Sequence, residues 1–346
     1  MSRKPRKLRS KLIAAAIVIS MAALGISLLA LASIRHGLAF TSLCGAMAGS
    51  HPRTVKHVMI IVDENRSYQQ VIGSPSTLGD PYINNVLAPS CGLATNYHNF
   101  SHPSLPNYLA LTSGAAKGPA GNTDCPVVRS CPQTQDSIFS QLGNARRSWR
   151  QYSGRMPSNC QPAGSYRSQR VMYALAPYYI SNPVPSECRK WDVLLGTPSS
   201  GALFAALSPT TDRLPAFSFV APGYCNNMHS CPTSAGDRWL QTWIPIIQKS
   251  AAYQNGQLVV FITWDEGSGA DDVAGEHCWD SAHANSSLYP SCRVATLVLS
   301  PYTKPRTRTG SYFNHLNLLA TIEGMLGLPR IATTSGCYSL RSAFGL

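Results

Sequence analysis

A run of 23 uncharged, mostly apolar residues at positions 12–34 constrains this chain more than any other feature of its sequence. A helix needs about 20 apolar residues to cross the hydrocarbon core of a bilayer, so the run is long enough to span one. Six Lys and Arg residues precede it within residues 1–11, and a basic flank favours a cytoplasmic location for that end. The sequence therefore predicts that everything after Arg35 lies outside the membrane.

Two fates of this segment are compatible with export. Residues 30–32 are Ala-Leu-Ala, a small-residue pattern that a signal peptidase can cleave, and cleavage near Ala32 would secrete the protein. The run exceeds the roughly 7 to 15 apolar residues of a signal peptide, which favours an uncleaved anchor. We therefore predict a single-pass cell-membrane protein with an extracytoplasmic domain, and secretion is the alternative. The predicted parts are a cytoplasmic basic segment (1–11), the anchor (12–34), a linker (35–55) and a domain (56–346).

The positive charge of the chain is concentrated near its N-terminus. The formal net charge is +13, but 7 of the 29 Lys and Arg residues and no acidic residue lie within residues 1–35. The remainder carries 22 Lys and Arg against 16 Asp and Glu, a surplus of only six. Such a surplus suits anionic substrates or anionic lipid, and it argues against nucleic acid as a partner.

All 11 cysteines follow the apolar run, which in an exported chain indicates a disulfide framework. Cys125 with Cys131 and Cys225 with Cys231 are each able to close a short loop. We expect the unpaired cysteine of the odd set to be Cys44, which is next to the membrane. A zinc cluster is not predicted, because the sequence contains no C-x-x-C pair.

The exported part alternates strand-like and helix-like segments, which predicts an α/β fold. Its strand-like runs are nearly continuously apolar, as in parallel strands that are covered on both faces. We therefore predict a three-layer α/β/α sandwich around a largely parallel sheet. An irregular insert pinned by Cys160 and Cys188 is expected at about residues 150–214. Strands are expected at 57–62, 216–220, 258–263 and 294–299, and helices at 105–112, 137–148, 237–251 and 314–326.

Acidic residues follow two of the predicted strands. Asp63-Glu64-Asn65 comes after the first strand, and Asp265-Glu266 follows the strand at 258–263. Ligands bind beyond the carboxyl ends of the strands in open α/β sheets, so the two acidic groups are expected to converge on one cation. Each group alone is equally compatible with an ordinary polar turn.

Ser104 immediately precedes a predicted helix. A serine at this position is most often an N-cap, which would make it structural. The same position also attracts phosphate, because the free amides and the dipole of a helix N-terminus favour anions. A neighbouring cation lowers the pKa of a serine hydroxyl and thereby activates it as a nucleophile.

Four segments resemble motifs of the bacterial phosphoesterase family, which joins secreted acid phosphatases and phospholipases C on an alkaline-phosphatase-like core. They are residues 57–68, 102–114, 261–267 and 314–323, in the order of the family motifs. The resemblance implies that Ser104 is the nucleophile and that His229 contacts phosphate. His102, Asn107 and His315 are candidates for substrate binding, although His315 is equally compatible with a satisfied residue at a helix start. The implied cation ligands are Glu64, Asn65, Ser104, Asp265 and Glu266.

An oxygen-only ligand set of this kind favours one hard divalent cation, Mg²⁺, Ca²⁺ or Mn²⁺, over zinc. The hypothesis is therefore a metal-dependent, acid-phosphatase-like phosphomonoester hydrolase that forms a phosphoserine at Ser104, with His229 holding phosphate or protonating the leaving oxygen. Its expected partners are a phosphate ester substrate, with lipid phosphates among the candidates, and the membrane, which residues 12–34 would contact. A phospholipase C-type phosphodiesterase or a lipid phosphatase is the alternative. A catalytically inactive binding ectodomain belongs to another class and is disfavoured, because the nucleophile and ligands are all present.

Overall fold

The structure is a computed structural model that describes residues 43–50, 55–73, 80–121, 123–125, 128–161, 175–180, 184–267 and 292–346. The predicted cytoplasmic segment and membrane anchor lie outside these residues. Within the described ranges, no helix is long and apolar enough to cross a membrane. The anchor at residues 12–34 therefore stays a prediction.

A mixed sheet organises the described part of the chain. Its strands are β1 (His57–Asp63), β2 (Gly92–His98), β3 (Trp149–Ser153), β4 (Asp192–Leu194), β5 (Phe217–Ala221), β6 (Leu258–Trp264), β7 (Arg293–Leu299), β8 (Arg308–Thr309) and β9 (Phe313–Asn314). Their order is β4-β3-β5-β1-β6-β7-β2-β8, and β9 also pairs with β2. Only β7 runs antiparallel to its neighbours β6 and β2 among these strands, which confirms the predicted largely parallel sheet.

The central strands are buried on both faces. Every residue of β1, β5 and β6 is buried. Successive side chains of a strand point to opposite faces, so apolar groups cover both sides of the sheet at these strands. In the paired register, Ile60 lies opposite Phe219 on one side and Phe261 on the other. This double burial explains why the three strands were recognisable as nearly continuous apolar runs.

The helices that matter for the site have well-defined ends. The helix that begins at Ser104 ends at Gly114, whose φ of 74° lies in the left-handed region favoured by glycine. The side chain of Asn314 caps the helix that follows it by accepting from the amides of Leu316 and Asn317. The α-helices are α1 (Tyr68–Val71), α2 (Ala88–Ser90), α3 (Ser104–Ser113), α4 (Ile138–Asn144), α5 (Val184–Trp191), α6 (Ala202–Ala206), α7 (Thr233–Lys249), α8 (Ala251–Gln254), α9 (His315–Met325) and α10 (Arg341–Phe344).

The segment at residues 150–214 differs from its prediction. It contributes most of β3 and all of β4 to the edge of the sheet, so it is not irregular throughout. Gln151 is polar yet completely buried, because its amide donates to Ser153 and accepts from the backbone of Leu175. Because hydrogen bonds satisfy the polar side chain of Gln151, β3 is buried without the apolar sequence pattern from which the other strands were predicted. The predicted pairing of Cys160 with Cys188 is confirmed.

The expectation that Cys44 is unpaired was wrong. Cys44 forms a disulfide with Cys91, with 5.2 Å between the two Cα atoms. The amide of Met47 donates to the carbonyl of Pro301 at 2.7 Å, so this stretch packs against the folded unit. That unit begins at Leu43, inside the predicted linker 35–55. The prediction rested on the position of Cys44 next to the apolar run, and that position says nothing about a partner cysteine 47 residues further along the chain.

Two other disulfide predictions hold. Cys125 is bonded to Cys131, and Cys225 is bonded to Cys231. Cys337 forms no disulfide with any other cysteine that the structure describes. The remaining part of the framework includes Cys278, which lies outside the described residues.

Candidate active site

The two predicted acidic groups meet at one edge of the sheet. Strands β1 and β6 are parallel neighbours, with Asp63 opposite Trp264 in the register. The amide of Asp265 continues this pairing by donating to the carbonyl of Asp63 at 2.9 Å. The residues that follow both strands therefore lie side by side, as the sequence predicted.

Asn65 links the two acidic groups directly. Its backbone amide donates to Asp265 Oδ1 at 3.1 Å, and its side-chain amide donates to Glu266 Oε1 at 2.8 Å. Asn65 has a φ of 50°, a left-handed conformation that asparagine tolerates better than most residues. This turn allows both donors of one residue to reach the carboxylates that follow β6.

Ser104 does not cap its helix. It is the first residue of α3, and the N-cap position is held by Pro103. Its hydroxyl donates to Glu266 Oε1 at 3.1 Å. The structural alternative of an N-cap serine is therefore excluded, and the hydroxyl lies against a carboxylate that is able to accept its proton.

Glu266 is held by contacts at both of its oxygens. Oε1 accepts from Asn65 and Ser104, and Oε2 lies 2.7 Å from His102 Nδ1. The other nitrogen of His102 lies 3.5 Å from the thiol of Cys292. His102, predicted to bind substrate, thus contacts a carboxylate of the site in this structure. Oε1 of Glu266 already accepts two hydrogen bonds, whereas Oε2 makes the close contact with His102 but no hydrogen bond within the described residues.

Tyr108 is a site residue that the sequence analysis missed. Its hydroxyl donates to Glu64 Oε1 at 2.7 Å, and both side chains are completely buried. Tyr108 lies four residues after Ser104 on α3, and residues at this spacing share one face of a helix. The spacing of four residues between Ser104 and Tyr108 was the signal available in the sequence, but it did not identify Glu64 as the partner of Tyr108.

Burial and neighbouring negative charges raise the pKa values of Glu64 and Asp265. Burial raises the pKa of Glu64 well above its usual range, and the charges of Glu266, Asp124 and Asp63 raise it further against the hydrogen bond from Tyr108. The pKa of Asp265 is raised in the same way, first by burial and then by the charges of Glu64 and Glu266. A cation among these groups would reverse the effect by favouring their ionised forms.

Several buried oxygens at this edge fit a cation. Glu64 Oε2, Asn65 Oδ1, Asp265 Oδ2 and Glu266 Oε2 have no hydrogen-bond partner within the described residues, although Glu266 Oε2 lies close to His102. Carboxylate and amide oxygens are the ligands that hard divalent cations prefer. No group of three or more His, Cys, Asp or Glu side chains suited to a metal occurs in the described ranges.

The loop that carries His229 is tied to the end of β1. The disulfide between Cys225 and Cys231 closes it. The amide of Glu64 donates to the carbonyl of Asn227 at 2.8 Å, and Arg66 donates to the carbonyl of Cys231 at 3.2 Å. The backbone amide of His229 donates to Asn227 Oδ1, and its ring lies 2.8 Å from the Ser230 hydroxyl. These contacts hold the loop at the edge of the sheet that carries the acids.

Asn107 and His315 support the site from behind. The side chain of Asn107 accepts from the amides of Phe100 and Ser101 and donates to the carbonyls of Ser101 and Pro103, so its bonding capacity is used by the chain itself. His315 is completely buried, with one ring nitrogen 2.7 Å from the carbonyl of Asp265 and the other 3.0 Å from the Tyr97 hydroxyl. Burial lowers the pKa of His315 to about 4, so the ring is neutral.

These contacts favour structural roles for both residues over the predicted contact with substrate. For His315, they match the alternative of a satisfied histidine at a helix start. Asn107 instead fixes the loop that leads into Ser104.

Comparisons with known proteins agree with this geometry. The sequence model of the Phosphoesterase family matches residues 79–329. A phosphatidylinositol-3-phosphatase of Mycobacterium tuberculosis is 29% identical over 302 residues, covering 86% of each chain. An acid phosphatase of Aspergillus fumigatus is 22% identical over 250 residues, which cover 69% of this chain and 49% of the fungal protein. A protein in the alkaline phosphatase superfamily from Vibrio parahaemolyticus has the same fold, with a TM-score of 0.50, 13% identity, and coverage of 85% and 71%.

We expect Tyr108→Phe to lower the free energy of unfolding by about 1 to 3 kcal/mol, because it leaves the buried Glu64 oxygen without its donor. Urea unfolding of the purified chain measures this change. Tyr253→Phe is the matched control, since its hydroxyl donates to the partly exposed carbonyl of Leu43, which water is able to reach. An equal or smaller loss for Tyr108→Phe than for Tyr253→Phe would contradict the role given to this bond.

Proposed function

The chain belongs to the phosphoesterase family and hydrolyses phosphoric esters, and we propose that it does so with Ser104 as a nucleophile that forms a phosphoserine intermediate. The observation that carries this proposal is the hydrogen bond of 3.1 Å from Ser104 Oγ to Glu266 Oε1. A hydroxyl that donates to a carboxylate has a proton acceptor within reach, and its position at the first residue of α3 favours a phosphate group through the helix dipole.

In the proposed reaction, Ser104 Oγ attacks phosphorus while its proton passes to Glu266. The bond from phosphorus to the ester oxygen breaks, and His229 donates a proton to the leaving oxygen. Water then attacks the phosphoserine and gives a proton to His229. The bond from phosphorus to Oγ breaks, and Ser104 recovers its proton from Glu266. Inorganic phosphate leaves, and the residues return to their initial protonation states.

We propose that one divalent cation is bound by Glu64, Asn65, Asp265 and Ser104. The unpaired buried oxygens of Glu64, Asn65 and Asp265 and the raised carboxyl pKa values of Glu64 and Asp265 support this assignment. Such a cation lowers the pKa of a bound hydroxyl and neutralises charge on phosphate. Its oxygen ligands favour Mg²⁺, Ca²⁺ or Mn²⁺. Glu266, with both oxygens in contact with protein groups, is assigned to the proton of Ser104.

Phosphomonoesters are the proposed substrate class, and a lipid phosphatase is the second candidate. The second is favoured by the similarity to the mycobacterial phosphatidylinositol-3-phosphatase over 86% of both chains. The predicted anchor at residues 12–34 would place the domain beside a membrane. Comparing turnover on soluble phosphomonoesters, phosphodiesters and phosphatidylinositol phosphates distinguishes these candidates.

We expect Ser104→Ala to lower turnover of p-nitrophenyl phosphate by roughly 10³-fold or more, because the covalent step needs the hydroxyl. Binding of inorganic phosphate, followed by NMR, should be retained. Ser101→Ala is the control, since Ser101 is also buried and its hydroxyl contacts the carbonyl of His102. Near-normal turnover by Ser104→Ala together with an inactive Ser101→Ala would move the nucleophile to Ser101.

Replacing His229 by alanine should lower kcat for alkyl phosphates by roughly 10²- to 10⁴-fold, the range typical of general acid catalysis. Aryl phosphates should lose less, because their leaving groups need little proton donation. His57→Gln, at the opposite end of β1, is the histidine control. Equal losses on both substrate types would assign His229 to holding phosphate, and no loss on either would exclude it from the reaction.

Treatment with a chelator should abolish turnover and lower the melting temperature, since a cation that binds only the folded state stabilises it. Mg²⁺, Ca²⁺ or Mn²⁺ should restore both properties better than Zn²⁺. Asp265→Asn should weaken cation binding, measured by calorimetry, by roughly tenfold or more, while Asp212→Asn, an acid paired with His57, should not. Stoichiometric zinc bound through His315, or through His277 or His283 outside the described residues, would contradict the assignment.

A further inference from the structure

The positive charge of the domain is concentrated in its last 54 residues. Residues 293–346 contain six Lys and Arg residues and one acidic residue, Glu323, and therefore carry a net charge of +5. The whole chain after residue 35 has a surplus of only six. Glu323 is completely buried and lies 3.5 Å from Arg330, so it places no negative charge on the surface. Residues 43–50 and 88–98, which pack against this region, contain no acidic residue.

Most of these charges lie along one edge of the sheet. Strand β8 is the last strand in the sheet order and pairs with β2. Four exposed basic residues follow this edge, and we call them the basic edge: Lys304, Arg306, Arg308 and Arg341. Arg341 begins α10, which packs beside β8 because the Thr303 hydroxyl donates to the carbonyl of Phe344 at 2.9 Å. No acidic side chain pairs with these four residues in the described part of the chain.

Two exposed tyrosines extend the basic edge towards the candidate active site. Tyr312 and Tyr338 are 41% and 60% exposed. They are neighbours, because the Tyr338 hydroxyl donates to the carbonyl of Tyr312 at 3.2 Å. Tyr312 lies three residues before His315, whose ring is 2.7 Å from the carbonyl of Asp265. Tyrosine is enriched at membrane–water interfaces, where its ring contacts lipid and its hydroxyl stays in water.

The start of the folded unit packs beside the basic edge. The amide of Met47 donates to the carbonyl of Pro301 at 2.7 Å, and Pro301 lies three residues before Lys304. Leu43 is the ninth residue after the predicted anchor at 12–34. At no more than about 3.6 Å per residue, this stretch spans at most roughly 32 Å. A membrane crossed by the predicted anchor would therefore lie within that distance of Leu43.

We propose that the basic edge, together with Tyr312 and Tyr338, docks the domain on the surface of an anionic lipid bilayer. Each Lys or Arg close to such a surface strengthens association by roughly fivefold. A second copy of this chain is disfavoured as the occupant, because a symmetric contact would bring the same positive charges together. Docking would bring the end of β2, and the loop that leads into Ser104, close to lipid headgroups. The proposal rests on the predicted anchor and on charge, and not on the role of Ser104 in catalysis.

The test compares the full chain on vesicles of phosphatidylcholine alone and on vesicles that also contain the anionic lipid phosphatidylglycerol. Amide hydrogen exchange is followed by mass spectrometry. Residues 308–314 should exchange roughly fivefold more slowly on the anionic vesicles. Added salt should remove the difference, because it screens charges at the surface. Residues 184–194, which include β4 at the opposite edge of the sheet, should exchange equally on both kinds of vesicle.

Replacing Lys304 and Arg306 together by glutamine should abolish the slower exchange of residues 308–314 on anionic vesicles. The matched control replaces Arg189 and Lys190 by glutamine. This pair also consists of one Lys and one Arg, is exposed, and lies on α5 just before β4. The control should keep the slower exchange. Both variants should melt at the temperature of the parent, which shows that they are folded.

The proposal is overturned if residues 308–314 exchange equally on neutral and anionic vesicles, or if the two glutamine pairs lose protection to the same extent. Failure of the chain to bind either kind of vesicle would also overturn it. Protection that increases with the density of protein on phosphatidylcholine vesicles would assign the basic edge to a second copy instead. The turnover of Ser104→Ala affects none of these outcomes.

Discussion

The burial of several carboxyl groups where β1 and β6 end is the constraint on which the rest of the site depends. Glu64 and Asp265 are completely buried, which raises the pKa of both, and the charge of Glu64 raises the pKa of Asp265 further. Transferring a carboxylate from water into protein costs several kcal/mol unless other groups compensate it. Here the compensation comes from donors on other elements, including Asn65 and Tyr108, and a bound cation would complete it. The burial of the largely apolar strands β1 and β6 helps to offset this cost.

Helix α3 connects the parts of the site into one unit. Its first residue, Ser104, contacts Glu266, and its second turn places Tyr108 on Glu64. A small rotation of this helix would therefore disturb both acidic groups at once. Asn107 fixes the approach to the helix through four hydrogen bonds to the preceding loop.

The degree to which the site was predictable differed from residue to residue. The two acidic groups were expected to meet, because parallel strands end at the same edge of a sheet, and β1 pairs with β6. His315 and Asn107 belong to the same matched motifs, yet their polar atoms are used by neighbouring backbone groups. A motif places a residue near a site but does not say which atom it contacts. Tyr108 was overlooked for the converse reason, because a buried tyrosine on a helix resembles an ordinary core residue.

The sequence by itself determined the largely parallel α/β core, the family, the disulfides within short loops and the positions of the two acidic groups. Those features depend on local periodicity and on residues close together along the chain. Only the tertiary structure decided that Cys44 pairs with Cys91 and that β3 and β4 extend the sheet. It also decided that the Ser104 hydroxyl donates to Glu266 and does not cap its helix. Each of these depends on contacts between distant segments, which form only when the free energy of packing the whole domain exceeds the entropy of bringing those segments together.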